Sequence, residues 1–212
     1  MQIGVLGSGE VGQSLGLGFI KLGHEVKLGS RDPAKLKSWV ARAGRHGPAG
    51  TPEETARFAD IAVLATAWSG TESALKLANA ASALAGKVVM DVTNPLTTEG
   101  GKLRLALGHD DSGGEQVQRW LPQSKVVKAF NTVGHALMVE PKFAGVPPDM
   151  FICGEDASAK QAVAGFCKSF GWGVVDVGGM EGARLLEPLC ILWVDYGLRT
   201  QTRKHAFKLL RS

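Results

Sequence analysis

The run Gly7-Ser8-Gly9-Glu10-Val11-Gly12 is where residue types and spacing first point to chemistry. It follows the apolar run Ile3 to Leu6 and opens a helical pattern, the setting in which G-x-G-x-x-G binds a dinucleotide. Each glycine has its own task. Gly7 allows a tight turn, Gly9 lets a pyrophosphate approach the backbone, and Gly12 lets the helix lie close on the strand. Ser8, Glu10 and Val11 fill the positions between them. The free N–H groups at the helix start add a partial positive charge for the phosphates. FAD and NAD(P) share this loop, so it does not choose between them.

The end of the second strand makes that choice. An NAD-binding chain places Asp or Glu there, about 20 residues past the glycines, to hold the ribose hydroxyls. This chain reads Gly29-Ser30-Arg31-Asp32-Pro33-Ala34-Lys35. Arg31 can pair a 2′-phosphate through its planar fork, Ser30 can donate a hydroxyl, and Lys35 stands one helical turn further on. Asp32 could serve as the ribose acid, but Asp followed by Pro reads better as a helix cap. The expected cofactor is therefore NADP(H).

Trp68, Asn94 and Asn131 follow strands at their carboxyl ends, the rim on which α/β proteins bind ligands. Trp68 is equally well read as a pocket wall and as a packed aromatic. Asn94 and Asn131 could be turn residues, but are read as site residues. His135, close to Asn131, could polarise a ring carbonyl, although a lone loop histidine is usually a surface group. His24 reads as turn structure, and Glu187 as a surface or interface charge. No Ser-His-Asp pattern, H-E-x-x-H or P-loop is present. Hydride transfer between two rings needs none of them. It needs the rings held face to face, about 3–3.5 Å apart, by an apolar wall and a few polar groups.

The elements that must position these residues alternate. Strands are expected at Ile3 to Leu6, Glu25 to Leu28, Ile61 to Thr66, Lys87 to Val92, Lys125 to Phe130, Met150 to Cys153 and Gly173 to Val177. Helices are expected at Val11 to Leu22, after Asp32-Pro33, from Thr51 to Arg57, Ser69 to Leu84, Glu115 to Leu121, Ala157 to Phe170 and Glu181 to Tyr196. Thr51-Pro52-Glu53-Glu54 is a cap signal. Thr97 to Gly114 reads mainly as loop. The pattern implies an α/β, Rossmann-type, doubly wound and mainly parallel sheet with a C-terminal helical cap. Residues 1–132 form the dinucleotide-binding core. Residues 133–212 extend the sheet and add the C-terminal helical segment, as part of one compact unit.

Composition narrows the class. The chain has 212 residues, 44% hydrophobic and 21% charged, with 28 glycines, an excess that suits many close backbone approaches. A net charge of +4 fits a small anionic ligand. Cys153, Cys167 and Cys190 stand far apart and offer no metal spacing, so no metal site is expected. The N-terminus lacks the basic region of a signal peptide, and no uncharged run reaches membrane-span length. The expected setting is the cytoplasm, with no membrane partner. Arg199, Arg203, Lys204, Lys208 and Arg211 make the tail basic, read as a solvated helix end and not a nucleic-acid surface. Leu189, Ile191, Leu192, Trp193 and Val194 look too apolar for solvent, which points to a homodimer interface.

Taken in order, Gly7 to Gly12, Leu22-Gly23-His24-Glu25-Val26, Gly29-Ser30-Arg31 with Lys35, Asp60 to Ala65, Asp91 to Leu96, Val126 to Thr132, Ile152 to Asp156 and Ala183 to Glu187 resemble the coenzyme F420-dependent NADP reductases. Their flavin-using relatives, which include the cytosolic domain of the STEAP ferric reductases, share the same pieces. The resemblance spans nearly the whole chain. It implies NADP(H) held by Ser30, Arg31 and Lys35, with the nicotinamide near Ala67-Trp68 and Asn94-Pro95-Leu96. It also implies a deazaflavin (F420) or flavin ring stacked beneath the Asn131 loop. The F420 enzymes tend to carry histidine where this chain has Asn131, which brings FMN or FAD forward as a second ring. The expected activity is hydride transfer between NADPH and a flavin or F420-like acceptor, a small-molecule redox substrate. The alternative is a non-catalytic NADP(H) sensor on the same fold. No catalytic acid or base stands out; Asn131 and Trp68 are the candidates nearest the rings.

Overall fold

A computed structural model describes residues 1–211. The chain runs β1 (Gln2–Leu6), α1 (Glu10–Lys21), β2 (Glu25–Gly29), α2 (Lys37–Ala43), β3 (Ala49–Gly50), α3 (Pro52–Phe58), β4 (Ile61–Leu64), α4 (Trp68–Leu77), α5 (Ala80–Ala83) and β5 (Val88–Asp91). It continues through β6 (Leu96–Glu99), β7 (Lys102–Leu105), α6 (Gly113–Trp120), β8 (Lys125–Lys128), β9 (Asp149–Ile152), α7 (Ala157–Ser169), β10 (Gly173–Asp176) and α8 (Ala183–Thr200). Six strands form one parallel sheet in the order β3-β2-β1-β4-β5-β8. The order reverses between β1 and β4, which opens a crevice at their carboxyl ends.

Alternation along each strand sends side chains to two cores. Ile3, Val5, Ile61, Val63, Met90 and Val127 meet α1, α2 and α7 through Leu15, Phe19, Trp39, Val163 and Phe166. Leu6, Ala62, Leu64, Val89 and Val126 meet α4, α6 and α8 through Leu75, Val117, Ala183 and Leu186. Helices on both faces explain why the strands read as unbroken apolar runs. Thr51 caps α3 as the sequence anticipates: Glu54 N donates to its hydroxyl and the Glu54 carboxylate accepts from Thr51 N, a reciprocal capping box.

Several expectations are corrected. The stretch after Leu96 contains an antiparallel hairpin, β6 with β7, turned at Gly100-Gly101. The helix expected over Ser69 to Leu84 breaks at Asn79, whose φ of 47° stops α4 before α5 begins. Asp32 sits at the helix-entry position but its side chain makes no cap; a 3₁₀ turn, Pro33–Leu36, comes before α2. The final strands do not simply extend the sheet. β9 and β10 pair in parallel as a separate ribbon, joined to β8 by one antiparallel bridge, Lys128 with Cys153. α8 does continue past Tyr196, to Thr200, and carries Pro188 inside it.

The basic tail is not a solvated helix end. Gln201, at φ 53°, terminates α8, and the chain folds back. Asp149 N donates to Phe207 O, Lys208 Nζ lies 2.9 Å from Asp149 Oδ1, and Leu209 N donates to Asp149 Oδ2. The His205 ring stacks on Trp193 at 4.5 Å. No helix among the described residues is long and apolar enough to cross a membrane.

Candidate functional site

The glycine loop sits at the carboxyl end of β1 and its three glycines differ as their spacing requires. Gly7 has a φ of 131°, open to glycine alone, and a β-carbon there would strike the Ala65 carbonyl. A β-carbon on Gly12 would strike the Gly7 carbonyl, so α1 can approach β1 this closely only without one. Gly9 meets nothing within 4 Å, which leaves its outer side open. It is also the N-cap of α1 and provides no side-chain cap, so the first N–H groups of α1 face outward. Gln13 Nε2 donates to Ser8 O and stiffens the turn.

A cleft of about 380 Å³ opens over this loop. Leu6 to Gly9, Gly29 to Arg31, Pro52, Ala65 to Ala67 and the first turns of α4 line it. Ser30 and Arg31 therefore share a wall with the glycine loop. Ser30 Oγ accepts from Asp32 N and donates to Asp32 O, both at 3.1 Å, which shapes the corner. Arg31 is exposed and makes no ion pair among the described residues. The Asp32 carboxylate is 3.6 Å from Lys35 Nζ, so the one acid at this strand end faces a cation. Lys35 lies outside the cleft wall, its side chain 81% exposed.

Beyond Ala67 the rim is built differently from what residue types alone suggest. Trp68 opens α4 and stacks on Trp120 at 5.6 Å; it packs under the rim and does not line the cleft. Asn94 Nδ2 donates to Asn131 O, and Asn131 Nδ2 donates to Asn94 Oδ1 and to Leu186 O. These bonds tie the loops after β5 and β8 to α8. Asn131 is 2% exposed, so its amide holds the rim from inside. Phe130 precedes it at φ 57°, a strained conformation for a bulky residue that turns the chain sharply after β8. Pro95 is buried and Leu96 half-buried beside Asn94. His135 belongs to a 3₁₀ turn, His135–Leu137, and its Nδ1 lies 3.4 Å from Glu10 Oε2, bridging the Asn131 loop and the glycine loop. His24 does more than turn the chain: it packs on Phe19 and Phe166, and burial lowers its pKa.

Glu187 requires a correction: it is 1% exposed and buried under the rim. Its Oε1 is 3.1 Å from Lys128 Nζ, and its carboxylate accepts from Gly113 N and Gly114 N at the start of α6. Lys128 is fully buried, 2.8 Å from Asp91 Oδ2, and donates to Thr93 O. Burial alone would strip its proton, but Asp91 and Glu187 outweigh that and raise its pKa above the ordinary lysine value. Burial pushes the Glu187 carboxyl up, against the pull of Lys128. Asp91 and Lys128 are register partners on β5 and β8. Two charged residues closing neighbouring apolar runs, Val88-Val89-Met90-Asp91 and Lys125-Val126-Val127-Lys128, were the signal available in the sequence.

A family model described as NADP oxidoreductase, coenzyme F420-dependent, matches residues 2–95. A crystal structure from Arthrobacter, assigned as an F420-dependent NADP reductase, superposes with a TM-score of 0.94 at 38% identity, covering 100% of both chains. The F420-dependent NADP reductase of Methanocaldococcus jannaschii is 29% identical over 216 residues, 96% of this chain and 95% of that one. The metalloreductase STEAP3 of Rattus norvegicus is 29% identical over 189 residues; these cover 89% of this chain and 36% of the metalloreductase. The chain thus spans about a third of that relative.

Proposed function

The chain belongs to the family of coenzyme F420-dependent NADP oxidoreductases, and from that premise we propose that it moves a hydride between NADPH and a flavin or deazaflavin ring. One observation carries the reading: a single cleft joins Arg31, exposed and without an ion pair among the described residues, to a glycine loop whose middle glycine is open. Ser30 and Arg31 receive the 2′-phosphate, with Lys35 adding long-range attraction from outside the wall. Gly7, Ser8, Gly9, Glu10, Val11 and Gly12 present backbone N–H groups to the pyrophosphate. Asp32, turned to Lys35, does not compete as a ribose acid.

Bound NADPH supplies the hydride. This chain's part is to orient and to exclude water. Ala67 and the Asn94-Pro95-Leu96 loop form the floor for the nicotinamide, braced from below by Trp68 on Trp120. Asn131 fixes the edge on which an F420, FMN or FAD ring would stack, through its bonds to Asn94 and α8. If these residues hold the two rings in near-attack contact, the hydride could pass without a side chain of this chain exchanging a proton. Of the α8 residues expected at a dimer interface, Trp193 is instead buried within the chain against His205, whereas Leu192 is exposed; with Leu185 and Tyr196 on the same face, it fits a second copy of this chain in a cytoplasmic homodimer.

The test mixes NADPH with F420, FMN, FAD and an artificial acceptor and follows loss of NADPH absorbance. Steady turnover with at least one ring acceptor is expected. Binding of NADPH without turnover on any of them would overturn the catalytic reading in favour of a sensor.

A further inference from the structure

Asp91, Lys128 and Glu187 form a buried cluster with two carboxylates and one ammonium group. The hydrogen-bond pattern bears on their charges. Glu187 Oε1 faces Lys128 and Gly114 N, and Oε2 faces Gly113 N. Asp91 Oδ1 accepts from Thr93 N and Thr93 Oγ1, and Oδ2 faces Lys128. The Lys128 ammonium and the Thr93, Gly113 and Gly114 N–H groups can only donate, and a donor set of this kind stabilises carboxylates. With Lys128 and these donors set against the burial that pushes Glu187 up, the cluster counts two carboxylates against one ammonium, one surplus negative charge. Nearby cations do not cancel it: Arg184 is bound to Glu115, and Arg119 to Asp111.

The surplus lies against the proposed nicotinamide floor. A β-carbon on Gly113 would stand 3.0 Å from Glu187 Oε1, 3.1 Å from Pro95 Cδ and 3.2 Å from Trp68 Cζ3, so these side chains converge on one point. Lys128 holds the carbonyl of Thr93, the residue before Asn94. Leu186, the neighbour of Glu187, holds Asn131. Oxidised and reduced nicotinamide cofactors are alike in adenosine, ribose and phosphates. They differ by one positive charge, on the ring.

Resting on the proposed function, we infer that the Asp91–Lys128–Glu187 cluster sets the preference between the two cofactor forms. Its surplus negative charge stabilises the cationic ring of NADP⁺ over the neutral ring of NADPH. The bound cofactor is thereby biased toward giving up its hydride. Asp91 and Glu187 act here as positioning residues, through the field they place under the floor. Removing one unit of that charge should shift the ratio of affinities about tenfold, or ~1.4 kcal/mol.

The experiment is calorimetry of NADP⁺, NADPH and 2′-phospho-ADP-ribose, which lacks the ring, on the wild type, Glu187→Gln, Asp91→Asn and Glu187→Asp. Melting by circular dichroism verifies folding. In Glu187→Gln and Asp91→Asn the ratio Kd(NADP⁺)/Kd(NADPH) should rise about tenfold while the ringless ligand binds as before. Glu187→Asp, which keeps the charge, should leave the ratio in place. An unmoved ratio in either folded neutral variant, or an equal loss for all three ligands, overturns the inference. Should neither neutral variant fold, the wild type decides: a preference for NADPH over NADP⁺ overturns it. Wild type that binds none of the three ligands overturns the proposed function itself. Wild type that binds them, with a ratio the variants do not move, overturns only the role of the cluster.

Discussion

Replacing Arg31 by Glu tests the cofactor assignment most directly. Arg31 is exposed, makes no ion pair among the described residues and shares the cleft wall with Ser30 and Gly9. Its removal costs the fold almost nothing, because a surface side chain without partners contributes little to stability. A bidentate, charge-assisted pair with a phosphate contributes about 1.5–3 kcal/mol. Reversal to Glu adds repulsion between two anions, so the total loss should be about 2–4 kcal/mol, or roughly 30- to 1,000-fold in Kd. NADH has a hydroxyl where NADPH has the phosphate, so its affinity should change by less than about threefold. Lys35 stands outside the wall and already faces Asp32 at 3.6 Å, so Lys35→Ala should weaken NADPH binding only a few-fold. Titration of both dinucleotides by nicotinamide or tryptophan fluorescence reads all of this at one salt concentration. Equal losses of NADPH and NADH on Arg31→Glu would refute the assignment, as would a larger effect from Lys35 than from Arg31.

Two further expectations concern buried groups. Lys128→Met leaves Asp91 and Glu187 buried without their cation, which should cost about 3–5 kcal/mol and lower Tm by roughly 6–20 °C. The pH dependence has a definite sign. The folded pKa of Lys128 is raised, so its contribution is fully present below the unfolded lysine value near 10.4 and is lost as pH rises through the folded value. The stability gap between the wild type and Lys128→Met should also narrow from pH 8 to pH 5, as the Glu187 carboxyl, pushed up by burial and now without its cation, takes up a proton; a gap independent of pH would contradict the burial argument. The thiols form the second case. Burial pushes Cys153 and Cys167 up to about 12 and Cys190 up to about 11, so an aromatic disulfide reagent at pH 8 should find none of them in the native protein and three in denaturant. Rapid native labelling of any one would mean that its surroundings open.

What the sequence made legible and what it hid divide along a physical line. Elements whose cause is local were readable: apolar runs between Ile3 and Leu6 or Ile61 and Leu64 are strands because both sheet faces are covered. Thr51 with Glu54 caps a helix because both partners lie within one turn. Asn79 was hidden because alanines flank it on both sides, and nothing in their propensity reveals the left-handed residue between α4 and α5. The tail was hidden for a different reason: Asp149, far away in sequence, draws Phe207, Lys208 and Leu209 out of a helix and onto the end of β9. The same distance in sequence conceals the site's inner half. Gly7, Ser30 and Arg31 announce themselves within a few residues of a strand end. Asp91, Lys128 and Glu187 come from β5, β8 and α8 and acquire meaning only once the register sets Asp91 beside Lys128. A glutamate on an apolar helix reads as a surface charge until the two glycine amides that receive it are known to begin another helix. On the proposed function, the residues for cofactor selection, Ser30 and Arg31, are written locally, whereas the field under the redox end would depend on residues that only the fold assembles. Substitutions at the two ends should therefore separate: Arg31 changes which dinucleotide binds, and Glu187 changes which oxidation state of it does.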